Sequence, residues 1–84
     1  MSARKTLERA LAGSKNIRFG DMIRLVKAYG FRLSRTKGSH HILTHPAISE
    51  LVNLQEVGGQ AKPYQVRQFL KIVERYNLQL PEGE

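Results

Sequence analysis

The strongest constraint on the fold is a pair of amphipathic segments on either side of several short strand-like runs. In both segments apolar residues recur at the spacing of one helix face. The first face comprises Phe19, Met22, Ile23, Val26 and Tyr29, with Leu25 beside it. The second follows Pro63 and comprises Val66, Phe69, Leu70, Val73 and Tyr76 or Asn77. Each helix must bury its apolar face against another element, so the strands between them must supply that surface.

The strand-like runs lie between the two predicted helices. Residues 31–45 predict a β-hairpin, because two β-prone runs flank Thr36-Lys37-Gly38 and Gly38 supplies the positive φ of a tight reversal. Residues 51–54 predict a third strand, and residues 56–62, which contain two glycines, predict a loop. The sequence therefore predicts a two-layer α+β domain: a three-stranded antiparallel sheet with two helices on one face and the opposite face open.

The length of the chain, 84 residues, suits one domain with one modest core. Residues 1–11 predict a short helix within an N-terminal extension at residues 1–17, the main domain covers residues 18–80, and residues 81–84 form a tail. Cysteine is absent, which fits a reducing cytoplasm, and no apolar run is long enough to span a membrane. We therefore expect a soluble, cytoplasmic protein that does not bind membranes.

The charge distribution indicates a polyanionic partner. The formal net charge is +7 and the pI is about 10.3. Positions 22–49 contain no acidic residue, and the cations in this stretch are Arg24, Lys27, Arg32, Arg35 and Lys37. A merely solvated cationic face would usually carry acidic residues among the basic ones, so nucleic acid is the favoured partner. A basic membrane-binding helix is a weaker alternative, because the charge is spread over helix and hairpin.

A second basic group is predicted on the last helix. Arg67, Lys71 and Arg75 stand four residues apart on one face, and Glu74 is the only acidic residue among them. Two interpretations stay open for this basic ridge: a solvated face, or a surface that contacts phosphates.

The predicted hairpin combines histidines with cations. RNA can be cleaved by its own 2′-hydroxyl when a base removes the proton, an acid protonates the departing 5′-oxygen and positive charge stabilises the phosphorane oxygens. His40 is the candidate proton-transfer residue, because imidazole exchanges a proton near neutral pH. The candidate RNA or phosphate contacts are the charged side chains and turn amides around it: Arg32, Arg35, Lys37, Gly38 and Ser39.

The turn decides which face of the sheet His40 occupies. A two-residue loop at positions 37–38 pairs Arg35 with His40 and directs His40 to the core. A three-residue loop pairs Ser34 with His40, which turns His40 outward and packs His41 against the core. We favour the second loop, because glycine at the last loop position is common in bulged turns and a catalytic base must be accessible.

Three groups of residues together carry a family resemblance: Tyr29-Gly30-Phe31, then Arg35-Thr36-Lys37-Gly38-Ser39-His40-His41-Ile42, then His45-Pro46. Over about residues 18–78 the chain resembles the HicA family, small toxin ribonucleases of bacterial type II toxin-antitoxin pairs. The resemblance implies a fold like that of double-stranded-RNA-binding domains, cleavage of mRNA without a metal or other cofactor, and inhibition by a HicB-type antitoxin. The family's catalytic histidine, which follows Gly-Ser or Gly-Gly, corresponds to His40 in this sequence.

The chain also departs from the family pattern. Many members carry Pro-x-His in the third strand and a Gly-Thr-like start to the last helix, and residues 52–64 contain neither. If that second histidine takes part in proton transfer in other members, this chain must use another group or be a weaker enzyme.

Other functions fit the sequence less well. A zinc site from His40, His41 and His45 would need side chains from both faces of one strand and has no cysteine, so no metal site is expected. A DNA-binding regulator would need a helix-turn-helix spacing that the chain lacks. The main alternative is a non-catalytic RNA-binding domain, in which His40 stacks on a base or hydrogen-bonds a 2′-hydroxyl.

Overall fold

Residues 2–84 form three helices and four strands in the computed structural model of the protein. In chain order these are α1 (Ala3–Leu11), α2 (Phe19–Ala28), β1 (Arg32–Lys37), β2 (His40–Thr44), β3 (Val52–Val57), β4 (Gln60–Ala61) and α3 (Pro63–Arg75). The strands form one antiparallel sheet in this order. The predicted α+β class and the short N-terminal helix are confirmed, although the predicted helix start at Met1 lies outside the described residues. None of these helices has the length and apolar composition needed to cross a membrane.

The fourth strand corrects the predicted loop at residues 56–62. β3 continues to Val57, and the chain reverses through Gly58 and Gly59 so that Val57 pairs with Gln60. The φ angles of the two glycines are 59° and 79°. A two-residue hairpin turn of type I′ requires positive φ at both central positions, which explains the glycine pair. β4 is only two residues long, too short to show alternation, so the sequence pattern does not reveal it.

The segment before α2 completes this edge of the sheet. Ile17 is only 1% exposed, and its carbonyl oxygen accepts a hydrogen bond from the Ala61 N–H at 3.0 Å. The Phe19 N–H donates to the Gly59 carbonyl oxygen at 2.9 Å. α1 packs against α2 and α3, and its buried residues are Ala3, Thr6 and Ala10. Side chains from the N-terminal segment are therefore part of the main hydrophobic core.

The helices share this core with one face of the sheet. Leu43 of β2 and Leu54 of β3 project into it and are fully buried, as is Phe69 of α3. The Phe69 ring lies edge-on to Tyr29 at 5.5 Å and to Phe31 at 5.8 Å between centroids. Burial raises the pKa of the Tyr29 hydroxyl. The sheet therefore has an inner face covered by helices and an outer face that carries the remaining strand side chains.

The buried faces of the helices differ in two places from the predicted ones. Leu25 is fully buried in α2, although the pattern places it beside the apolar face. In α3 Ile72 is buried whereas Tyr76 is 37% exposed. The reason is that α3 packs against the sheet on one side and against α1 on another. Leu70 and Val73 are half-buried on the side of α1. The apolar face of α3 is therefore broader than a single stripe.

Leu54→Ala is expected to lower the free energy of unfolding by about 2–5 kcal/mol, because it leaves a cavity in the core. Leu11→Ala is the matched control, since Leu11 is 67% exposed at the end of α1. Its effect is expected to stay within about 0.5 kcal/mol. Urea denaturation followed by circular dichroism measures both variants, and equal effects would contradict the location of the core.

Candidate functional site

The turn between β1 and β2 sets the position of the candidate residues. Lys37 pairs with His40, so the loop consists of Gly38 and Ser39. The φ of Gly38 is 60°, as the first central residue of a type II′ turn requires. Neither predicted register is correct, because the turn begins at Gly38 and the extra residue, Ser34, forms a bulge within β1 instead of lengthening the loop.

Alternation along β2 directs its two adjacent histidines to opposite faces of the sheet. His41 lies on the inner side, with its ring edge-on to Phe19 at 4.7 Å between centroids and its Nδ1 3.2 Å from the Ser39 carbonyl oxygen. His40 is exposed on the outer face. These are the orientations predicted with the three-residue loop, although a different turn produces them.

Three cations of β1 share the outer face with His40: Arg32, Arg35 and Lys37. They pair with alternate residues of β2, and Lys37 is directly opposite His40. Paired residues of an antiparallel ladder project to the same face of the sheet. All four side chains are exposed, as are the two turn residues beside them. We call Arg32, Arg35, Lys37 and His40 the basic patch.

Asn53 of β3 is a further residue of the candidate site, one not predicted from the sequence. Its Oδ1 is 3.3 Å from Nδ1 of His40. An amide oxygen only accepts hydrogen bonds, so Nδ1 is the donor in this contact and Nε2 is the ring nitrogen that Asn53 leaves unengaged. The signal in the sequence is the order Val52-Asn53-Leu54, in which alternation places one amide on the outer face between two core residues.

His45 packs against the core, away from the basic patch. Its ring lies edge-on to Phe31 at 5.0 Å between centroids, and its Nδ1 accepts a hydrogen bond from the Ala47 N–H at 3.0 Å. A Cβ atom at Gly30 would lie 2.9 Å from the Nε2 of His45, so the glycine makes room for the ring. The three histidines therefore do not converge, and no group of three or more potential metal ligands occurs within residues 2–84.

The predicted basic ridge on α3 does not present three equivalent cations. Arg67 and Lys71 are exposed. The Nη1 of Arg75 donates to both carboxylate oxygens of Glu50 at 2.6 Å. Hydrogen bonds from Arg75 and Tyr76 hold the pKa of Glu50 below its ordinary value. Arg75 therefore ties α3 to the segment before β3, and Glu50 offsets its charge.

The comparisons with known proteins identify the family of the chain. The family model described as the HicA toxin of bacterial toxin-antitoxin systems matches residues 19–74. The chain belongs to the HicA toxin family. The match confirms the resemblance predicted from the sequence, and it runs from the first residue of α2 into the last turn of α3, with the whole basic patch inside it. Neither curated proteins nor solved structures give a match. As a HicA toxin, the chain is one half of a toxin-antitoxin pair, which implies a cognate antitoxin.

Glu50→Gln is expected to reduce the loss of stability that the protein undergoes in acid. The pKa of Glu50 is lower in the folded chain than in the unfolded one, so its carboxylate stabilises the fold above the unfolded pKa. That contribution disappears as the pH falls through the folded pKa. Urea denaturation at about pH 6 and about pH 3 should therefore show a smaller difference for Glu50→Gln than for the parent. Glu56→Gln, a change to an exposed carboxylate on β3, is the control and should behave as the parent does.

Proposed function

We propose that this toxin is an endoribonuclease that cleaves messenger RNA in the cytoplasm, with His40 as its proton-transfer residue. The observation that supports the proposal is an exposed imidazole among three cations, with one ring nitrogen held by Asn53. The hydrogen bond leaves Nε2 as the ring nitrogen that can accept a proton from an RNA sugar.

Cleavage by the RNA's own 2′-hydroxyl uses this arrangement without a metal or other cofactor. Nε2 of His40 removes the 2′-proton as the oxygen attacks the adjacent phosphorus. Lys37, directly opposite His40, and Arg35, at the next outward position of β1, stabilise the charge that develops on the phosphorane oxygens. Within residues 2–84 no other histidine lies on the outer face, so the same imidazole returns the proton to the departing 5′-oxygen.

A HicB-type antitoxin is the proposed inhibitor of this site. Neither β1 nor β2 contains an acidic residue, so the basic patch has no carboxylate on its own strands to balance it. An acidic antitoxin surface bound to the basic patch would pair with the same cations that bind RNA phosphates. Inhibition would then follow from competition for the same cations.

One observation favours a second candidate function, a non-catalytic RNA-binding domain with the same fold. The side chain that contacts His40 from β3 is Asn53. In an enzyme that uses a pair of acid–base residues, a second proton-transfer group would be expected at this position. In this alternative His40 stacks on a base or hydrogen-bonds a 2′-hydroxyl, and the cations hold the RNA backbone. It predicts RNA binding that weakens with salt and leaves the RNA intact.

His40→Ala is expected to slow RNA cleavage by about 10²- to 10⁴-fold, the usual contribution of a general acid–base residue. The assay incubates purified protein with single-stranded RNA in excess EDTA and follows the products on a gel. His41→Gln is the matched control, because His41 lies on the inner side of the same strand. Circular dichroism checks that both variants fold.

Two results would contradict the nuclease proposal. Cleavage by His40→Ala at the parent's rate would remove His40 from the chemistry. Recovery of intact RNA from a saturated complex with the parent protein would favour the RNA-binding domain instead.

Asn53→Asp is expected to move the acidic limb of the pH–rate profile to higher pH. The carboxylate still accepts the hydrogen bond from Nδ1, but its negative charge favours the protonated imidazole, which cannot act as a base. Asn16→Asp, in the exposed segment before α2, adds the same charge away from the patch and should leave the profile unchanged. An unchanged profile for Asn53→Asp would show that Asn53 does not act through His40.

A further inference from the structure

One side of β3 has no strand neighbour over most of its length. β4 pairs only with the last two residues of β3, so no strand within residues 2–84 pairs with this side of residues 52–55. The Gln55 N–H points to this side, where it donates to Oε1 of Gln65 at 2.7 Å. Alternate residues of an antiparallel strand direct their N–H and C=O groups to the same side, so those of Asn53 point there too. The backbone of Asn53 thus offers a donor and an acceptor to an added chain.

A groove runs along this edge, between β3 and α3. Its volume is about 240 Å³. Leu51 lines the strand side and is half-exposed, whereas Phe69 and Ile72 form the apolar floor on the helix side. The ion pair between Glu50 and Arg75 closes one end. The groove between a strand edge and a helix is the geometry in which an extended peptide is bound by strand addition.

The opposite edge of the sheet is protected against an added strand. β1 carries the bulge at Ser34 and the exposed cations Arg32, Arg35 and Lys37. Bulges and charged side chains are the features by which proteins prevent pairing at an edge strand. The corresponding part of β3 is uncharged and pairs with β2 in an unbroken register. The β3 edge therefore lacks the features that protect the β1 edge against an added strand.

We propose that the β3 edge binds an extended acidic peptide segment of a partner protein as an additional strand. Alternate side chains of that segment would project inward to the apolar floor of the groove and outward beside Asn53. Lys71 adds an exposed cation on the helix side of the groove, and the chain as a whole carries a net charge of +7. The expected ligand therefore alternates apolar residues with Asp or Glu.

Charge argues against a second copy of this chain as the occupant. Each copy carries a net charge of +7. Two molecules of the same large net charge repel each other as they approach, which opposes self-association. An acidic segment has the opposite charge and is attracted to the protein.

The test is selection from a phage-displayed library of random peptides of about eight residues on the immobilised full-length protein, without RNA. Enriched peptides are expected to alternate apolar and acidic residues. Leu51→Pro places a residue without an N–H at the edge, two positions before Asn53, and should weaken their binding about tenfold or more. Lys71→Glu should do the same by reversing a groove charge. Lys27→Glu, an exposed lysine of α2, is the matched control and should bind as the parent does.

Three results would overturn the proposal. The first is a selection that yields no peptide with a preference for the parent protein over Leu51→Pro. The second is a set of enriched peptides that bind both proteins equally, because such peptides would use the basic patch alone. The third is a dimer of the parent in sedimentation that Leu51→Pro dissociates, which would make a second copy of the chain the occupant.

Discussion

The packing of His41 and Leu43 into the core is the interaction on which the candidate site depends. Leu43 is fully buried, and His41 lies against Phe19. A shift of one residue along β2 would move these side chains to the outer face and bury His40. Burying a leucine side chain alone contributes about 2 kcal/mol, so the core enforces the outward position of His40. The contact with Asn53 then fixes the ring on that face.

The tight turn and the bulge in β1 together determine that the three cations lie on one face of the sheet. With the turn at Gly38 and an unbroken ladder, Ser34 would pair with Leu43, and Leu33 would point to the outer face. The bulge removes Ser34 from the register, so that Leu33 pairs with Leu43 on the inner side and Arg32 returns to the outer face. The three cations of the basic patch therefore share one face only because an extra residue is absorbed inside the strand.

This combination explains why the sequence predicts the layers of the fold but not the register of the hairpin. Helix faces and strand order follow from local apolar spacing, which is visible in one sequence. The hairpin register depends on Leu43 reaching the core and on Leu33 pairing with it on the inner side, and two different loops satisfy the local pattern equally well. β4 depends on Ile17, which supplies the carbonyl for the Ala61 N–H from the far end of the chain. The contact between Asn53 and His40 likewise exists only once β2 and β3 are in register.

Asn53 belongs to two surfaces at once, and this links the proposed nuclease site to the proposed docking edge. Its side chain holds His40 on the outer face, while its backbone faces the open edge of β3. A strand added there would lie about 5 Å from β3 and about 10 Å from β2. An acidic side chain that projects outward at the position opposite Asn53 would then accept a hydrogen bond from Nδ2 of Asn53, whose Oδ1 is the atom in contact with Nδ1 of His40. A partner docked on this edge could therefore restrain the toxin without covering the imidazole that carries out its chemistry.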